Sequence, residues 1–439
     1  MSDVDAIVVG GGIAGLGAAH HLAAAGRSVL VLERESEPGG RMRSVSWHGH
    51  WVDLGAEEIT SSDTFFRDVA RRHSLELVPH LAGAGGYGVR RDGEIHMIEL
   101  ADPTAYLRYR GMSRRGRAQL VRLLPLMARA AWRARGADLD DLHVVADLDD
   151  TSLEDWLGKA APELLEYVVE PLFDVFCGWT PAEMSRAWFA FTSAVYGGAE
   201  GFTLLGGVGA IPRALATELD VRCGAAVTNV DVESGRVTWT QDGSEHGAQA
   251  DVVVVATPGH LVNAITSGLD EERRAYFDQV RYVPHNTLYL WLDHVPADVP
   301  RMAFFPRAED PELSSIGVGL PTAPDAPVVR LGLKAPRQRD FLTASDDAYV
   351  DACLAAVARY HPDLPGLVRD RLLWRWDAAL PTFPPGSVRA LARFRSLGPL
   401  PGVAFAGDYL ANSATGAAYA TGRKAAAEVL ADHPTGVAA

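Results

Sequence analysis

Lysine is nearly missing from this 439-residue chain: Lys159, Lys334 and Lys424 are the only three among 41 basic residues. Positive charge is scarce as well, with a formal net charge of −15 that excludes nucleic acid as the expected partner, because phosphate binding needs clustered positive potential. Cys177, Cys223 and Cys353 are too few and too far apart for a disulfide framework or a Cys-x-x-Cys pair, and read as buried free thiols. No metal site is expected. No apolar run approaches the roughly 18 residues that a membrane-spanning helix needs. The opening MSDVDAIVVGG reads as the start of a strand rather than a signal peptide, and the expected compartment is the cytoplasm.

The length exceeds what one core usually fills, so two domains are expected. Asp5 to Val9 is a short apolar run, Leu16 to Ala25 has helical composition, and Ser28 to Leu32 reads as a second strand. Between the first strand and the helix stands Gly10-Gly11-Gly12-Ile13-Ala14-Gly15, which contains Gly-x-Gly-x-x-Gly through Gly10, Gly12 and Gly15. The first glycine permits a tight turn, the second lets a phosphate approach the backbone, and the third lets helix and strand pack closely. The amides of Ile13 and Ala14 open the helix, whose start offers unpaired N–H groups to a pyrophosphate. Glu33 closes the second strand about 20 residues on, where an acid accepts hydrogen bonds from a ribose diol. Strand, glycines, helix, strand and acid in this order point to a dinucleotide.

Further along, Asp251 to Ala256 is a continuous β-branched run, as in a buried central strand. Strand patterns return at Thr287 to Leu292 and Val328 to Leu333, then Val403 to Ala406, before a helix over Ala417 to Leu430. Residues 101 to 188 are helical and charge-segregated, with seven arginines between Arg114 and Arg135 followed by acids from Asp138 to Asp150. That arginine face either docks weakly on an anionic membrane surface or pairs with the neighbouring acids.

The segments Glu33-Arg34 through Gly39-Gly40-Arg41, Asp53-Leu54-Gly55-Ala56-Glu57, Ala256-Thr257-Pro258 and Phe405-Ala406-Gly407-Asp408-Tyr409 together resemble the flavin-containing amine oxidase superfamily, which includes monoamine oxidases, protoporphyrinogen oxidases and phytoene desaturases. The resemblance implies an α/β fold in which a Rossmann-like FAD-binding domain (1–80, 206–275 and 370–439) is interleaved with an α+β substrate domain (81–205 and 276–369) containing a mixed sheet and the helical insertion. It places Arg41 and the Gly39-Gly40 turn by the diphosphate, the backbone of Gly55 and Ala56 at the isoalloxazine and the main chain of Val227 at the adenine, with Arg34 and Glu57 also among the cofactor-binding residues. Gly407 and Asp408 belong to the ribityl and diphosphate side. Gly416, Ala417 and Ala418 open the last helix toward the flavin pyrimidine. Where the family shows Glu-Gly-Ala this chain has Thr415-Gly416-Ala417, so only the backbone role carries over. The cysteine or histidine that anchors flavin in some relatives has no counterpart near these motifs, and non-covalent FAD is expected. One dinucleotide fingerprint speaks against a second nicotinamide site.

Amine-oxidising members often carry a lysine on a strand about 30 residues beyond the motif matched by Ala256-Thr257-Pro258; here Asn286-Thr287-Leu288-Tyr289-Leu290-Trp291 has none. Tyr167 to Leu172, Met184-Ser185 and Trp376 to Pro381 look like protoporphyrinogen oxidases and desaturases. The expected reaction is hydride removal from a C–H bond of a largely apolar small molecule, forming C=C or C=N, with oxygen or another acceptor reoxidising the flavin. An amine oxidase proper, a non-redox isomerase or mutase, and a scaffold without turnover are the other readings. Candidate pocket aromatics are Trp179, Trp291, Trp374, Trp376, Phe383, Tyr409 and Tyr419. Tyr419, Trp376 and His285 are the candidate catalytic side chains, and Glu57 with Glu58 could steer a cation. The chain is expected to be a monomer or a homodimer.

Overall fold

A computed structural model of the chain describes residues 4–80, 87–99, 102 and 104–432. The apolar run Val4–Val9 forms strand β1, helix α1 spans Ile13–Ala24, and strand β2 spans Val29–Leu32. β1 lies parallel between β2 and the long strand Ser244–Val255, which also pairs in parallel with Val403–Phe405. In this register Val9 stands opposite both Leu32 and Val255. The carboxyl ends of three strands therefore stop at one level, and Gly10, Glu33 and Ala256 emerge together at the edge where open α/β sheets bind ligands. The amino half of Ser244–Val255 turns outward to pair antiparallel with Arg236–Gln241, completing an eight-stranded sheet with Asp220–Arg222, Ala226–Asp231 and Thr266–Ser267.

The final helix, Thr415–Asp432, packs along α1. Glycine makes that approach possible: a Cβ on Gly422 would collide with the Ala14 carbonyl, and one on Gly17 would press into the Tyr419 ring at 2.7 Å.

The second sheet has seven strands in the order Val368–Pro381, Tyr282–Leu292, Val328–Leu333, Leu313–Val318, Met302–Phe304, Tyr87–Arg91 and Glu94–Ile98. Its pairs are antiparallel except Met302–Phe304 with Tyr87–Arg91. One face carries Leu288, Leu290 and Leu331 into a core against helix Asp346–Ala358, which supplies Tyr349, Val350 and Cys353. The opposite face carries His285, Thr287 and Tyr289, with Trp376, Trp374 and Leu372 as their rungs on the edge strand. The expected segment 370–439 is thus divided. Residues 368–381 alternate and pair as part of the second sheet, and only the chain from Val403 joins the first.

Helices Arg114–Gln119, Leu124–Arg133, Leu153–Ala160, Glu170–Cys177 and Arg186–Tyr196 form the expected insertion. Of its arginines, Arg129 and Arg133 reach Asp147, whereas Asp138 and Asp141 pair instead with Arg423 and Lys424 of the last helix. The three cysteines are free, and Cys353 is the fully buried one. Among the described residues no helix is long and apolar enough to cross a membrane.

Candidate functional site

Gly10 leaves β1 with φ +104°, and a Cβ there would lie 2.9 Å from the Ala256 carbonyl, so only glycine turns this corner. Gly12 is the N-cap of α1 and offers no side chain to its amides, and the space beside its Cα is open. The first-turn N–H groups of Ile13, Ala14 and Gly15 are left to a ligand rather than to a cap. Glu33 is buried; Oε2 accepts from the Gly11 N–H at 2.6 Å and Oε1 from the Glu35 N–H at 2.8 Å. Burial raises its pKa, and those two bonds oppose the rise. The Glu33 carbonyl also accepts from the Ala225 N–H at 2.8 Å, which brings Val227, two residues on, to the same edge. Arg34 points away: it is exposed and pairs with Glu35 at 3.0 Å, outside this cluster.

Arg41 donates through Nη1 to Asp408 Oδ2 and to the Ala379 carbonyl, both at 2.6 Å. Asp408 Oδ1 accepts from the Tyr282 hydroxyl and from the Tyr409 N–H, each at 3.0 Å. Burial works against the Arg41 charge, but Asp408 and Tyr282 more than restore it, and its pKa ends above the usual value. The Arg41 carbonyl accepts from the Ala56 N–H at 3.0 Å. A Cβ on Gly55 would collide with that carbonyl and stand 3.2 Å from Trp376 Nε1. The turn Gly39-Gly40, both with positive φ, sits against the first loop through the Gly39 N–H bond to the Gly11 carbonyl at 2.8 Å. Gly407, also at positive φ, donates its N–H to Thr421 Oγ1 of the last helix at 2.9 Å. Gly416, Ala417 and Ala418 are buried at the start of that helix, where Asp63 presses on Gly416 and its Oδ1 has no hydrogen-bond partner.

Across from Gly55, Trp376 Nε1 donates to the Leu54 carbonyl at 2.6 Å and the Tyr289 hydroxyl to the Asp53 carbonyl at 3.0 Å. The second sheet is thereby bolted onto the loop that carries Gly55. Burial pushes the Asp53 carboxyl up to about 7, against the hydrogen bonds from Ser44 and the Val208 N–H. Burial and the neighbouring Glu57 likewise push Glu58 up to about 7. Glu57 does not face the cavity as a free anion, because Arg330 binds it and Tyr289 donates to it at 3.2 Å. Arg330 was not foreseen from sequence; the only signal was one charged residue within the apolar strand Val-Val-Arg-Leu-Gly-Leu.

His285 lies on the same sheet face, directly opposite Trp376 in the ladder, beside a small cavity lined also by Arg330, Ser315 and Gly332. Its Nδ1 is buried without a partner. Burial first, then Arg330, hold its pKa down to about 4, so the ring is neutral at physiological pH.

Several expected pocket side chains lie elsewhere. Tyr419 stacks on Phe65 at 3.7 Å and approaches His21 at 3.4 Å, packing the last helix onto α1 rather than facing Gly55. Trp179 is fully buried against Trp188 and Phe383. Tyr409 is buried against Phe277 and Gly259, and Trp291 stacks on His48 at 4.2 Å beyond the hairpin Ser44–Asp53. Trp374 and Trp376 remain on the face toward the Gly55 loop.

An uncapped helix start, a half-buried arginine paired to a buried acid, and an acid at the end of β2 form one continuous edge. Their chemistry fits a dinucleotide: amides and guanidinium for a diphosphate, a carboxylate for ribose hydroxyls. The family model of flavin containing amine oxidoreductases matches residues 13–430. The chain belongs to that family. FAD is accordingly its cofactor. In sequence the chain is 29% identical over 275 residues to a phytoene dehydrogenase of Streptomyces griseus, covering 57% of this chain and 53% of that one. It is 27% identical over 295 residues to a putrescine oxidase of Kocuria rosea, covering 60% and 58%. These matches span little more than half of each relative's length. Among solved structures, cyclohexylamine oxidase from Brevibacterium oxydans IH-35A superposes with a TM-score of 0.74 at 18% identity, covering 98% of this chain and 99% of that one, and shares its fold.

Proposed function

We propose that this member of the flavin-containing amine oxidoreductases removes a hydride from a C–H bond of a largely apolar small molecule, forming C=C or C=N. The observation that carries this reading is the sheet face opposite Gly55, where Trp374 and Trp376 stand over the loop and no lysine does. The edge from Gly12 to Asp408 would hold FAD, which when bound would supply the hydride acceptor, with oxygen or another acceptor as the final oxidant.

The residues of the chain bind, wall and orient. We assign Gly10, Gly12, Ile13, Ala14, Gly15, Gly40 and Arg41 to the diphosphate, Glu33 to ribose and the backbone of Val227 to adenine. Gly55 and Ala56 present main chain at the isoalloxazine, where any side chain on Gly55 is blocked by Arg41 and Trp376. Trp374 and Trp376 exclude water and favour an apolar substrate. Glu57, already neutralised by Arg330, offers a substrate cation little net attraction. Titrating the FAD-loaded protein without oxygen with amines, porphyrinogens and polyenes tests the reading. Bleaching by a polyene or porphyrinogen supports it. Bleaching by amines alone rules out C=C formation and fixes the product as C=N, and substrate rearrangement without acceptor consumption replaces the reading with an isomerase.

Among the described residues His285 is the one neutral, unpartnered base on this face, and we assign it the proton that leaves the substrate with the hydride. Arg330, Glu57 and Asp174 face it from three other segments, and the nearest cation, Arg330, opposes its protonation. A pKa held below the free value means that the base is competent throughout the neutral range and is lost only as pH falls toward 4. The pH profile of kcat/KM is therefore expected to lack an inflection near 6.5. His285→Gln is expected to lower kcat about a hundredfold with little change in KM, the lower end of what a positioned base contributes. An unchanged kcat would remove His285 from the mechanism.

A further inference from the structure

From residue 103 to residue 137 the chain has nine arginines and no aspartate or glutamate, in a protein whose net charge is −15. Helix Arg114–Gln119 runs through a short 3-10 turn, Leu120–Leu123, into helix Leu124–Arg133. Gly116, Leu123 and Ala130 are buried at seven-residue spacing, which is about two turns, so a single line of this rod faces the protein. The opposite line is Arg114, Val121, Pro125, Ala128 and Trp132, flanked by Arg115, Arg122, Leu124 and Arg133, and every one of these is exposed. Trp132 at 68%, Val121 at 63% and Leu124 at 62% are the three most exposed large apolar side chains among the described residues. Scattered exposed apolar groups need no explanation, but three on the outer side of one short rod among arginines do.

Five of those arginines are occupied: Arg108 pairs with Asp102, Arg117 and Arg122 donate to backbone carbonyls, and Arg129 and Arg133 have an acid. Arg129 and Arg133 share Asp147 beside the patch. Arg114, Arg115 and Arg135 have no acidic partner among the described residues. We propose that this rod is a docking surface for the headgroup region of an anionic lipid bilayer, lying in the plane of the membrane. Trp132, Leu124 and Val121 enter the acyl boundary, and the arginines on either flank meet lipid phosphates. Charge decides the occupant. A second copy of this acidic chain would need a self-complementary patch, whereas this segment carries arginines and no acid. A zwitterionic surface would leave the free arginines without counter-charge. A tryptophan with leucine and valine between arginines is the composition of helices that lie in a bilayer interface rather than cross it.

Co-sedimentation of the full-length, FAD-loaded protein with vesicles tests the proposal, comparing pure phosphatidylcholine with a mixture containing about one third phosphatidylglycerol, the fraction being set so that the surface is strongly anionic. The protein is expected to pellet with the anionic vesicles, to stay in solution with the neutral ones, and to be released by high salt as the attraction is screened. Replacing Arg114 and Arg115 by Gln is expected to lower the partition about fivefold for each charge. Leu124→Ser with Trp132→Ser is expected to abolish pelleting while leaving flavin absorbance and melting temperature unchanged, since both side chains are exposed. Leu342→Ser, at an exposed apolar position outside this segment, is the control and is expected to bind like wild type. Equal pelleting of the Leu124/Trp132 variant, or no pelleting of wild type with anionic vesicles, overturns the proposal. So does a wild-type dimer on a sizing column that the same variant converts to monomer, because the face then belongs to a second copy.

Discussion

Arg41→Met is expected to yield a protein that purifies without its yellow colour and binds added FAD about a hundredfold more weakly than wild type, as loss of charge-assisted hydrogen bonds predicts. The same change should destabilise the FAD-free protein by about 3 kcal/mol. The second effect follows from what Arg41 leaves behind. Asp408 is 8% exposed in its side chain and keeps only the Tyr282 hydroxyl and its neighbour's amide when the guanidinium is gone. A buried carboxylate without its counter-charge is costly, and the figure sits at the lower end of the usual range because the Arg41 side chain is itself 30% exposed. Fluorescence quenching of FAD measures the first effect and thermal or denaturant unfolding of the apoprotein the second. Arg41→Lys should recover much of the stability and less of the affinity, because an ammonium replaces the charge but not the planar fork. Wild-type affinity in Arg41→Met would remove Arg41 from the cofactor site. For the comparison to have meaning the flavin must dissociate, and denatured wild type passed through a filter is expected to leave its yellow colour in the filtrate.

The βαβ unit was legible in the sequence because everything that builds it is local. Gly10, Gly12 and Gly15, the helix after them and Glu33 lie within one short span, and their spacing follows from backbone geometry alone. The buried run before Ala256 was legible for the same reason: Val252 to Val255 show the uninterrupted apolar pattern of a strand covered on both faces. The pairing of Arg41 with Asp408 is of another kind. The two are 367 positions apart, and only a resemblance to relatives put them on one surface. Arg330 with Glu57, separated by 273 positions, had neither a local pattern nor a motif to announce it.

Tyr419 shows a subtler limit. Its helix starts at Thr415 beside Asp63, but side chains one turn along a helix face a different neighbour from its first amides. Gly17 in α1 leaves room for the ring, and Phe65 completes a stack. The edge strand Val368–Pro381 misled for a related reason. Its sequence alternates as either sheet would require, and the ladder with Tyr282–Leu292 decides its membership.

Lys334 joins these threads, because in a chain so poor in lysine its burial invites a catalytic reading that its contacts do not support. Its side chain is 3% exposed and its Nζ lies 3.0 Å from Glu170 and 3.3 Å from Asp174, on the helix Glu170–Cys177. Those acids are engaged in turn: Asp174 accepts from the Ser314 hydroxyl and the Ala335 N–H, and Glu170 from the Arg307 N–H. The cluster fastens the helical insertion to the second sheet. Lys334→Met is therefore expected to cost about 3–5 kcal/mol at neutral pH, since it strands two buried carboxylates, while flavin binding per folded molecule stays as it was. Burial already raises the Glu170 pKa above its ordinary 4.5, with Lys334 opposing that rise. A carboxyl whose folded pKa is raised favours the native state below the unfolded value and disfavours it as pH climbs through the folded one. In the variant the folded pKa rises further, so its deficit against wild type should be smallest below pH 4.5 and grow through the neutral range. Denaturant unfolding across that range reads this slope. Adding Glu170→Gln and Asp174→Asn to Lys334→Met should return most of the lost stability and flatten the pH dependence, because a neutral cluster no longer holds uncompensated charge. A deficit in Lys334→Met that does not change with pH would show that packing, rather than charge, is what Lys334 contributes.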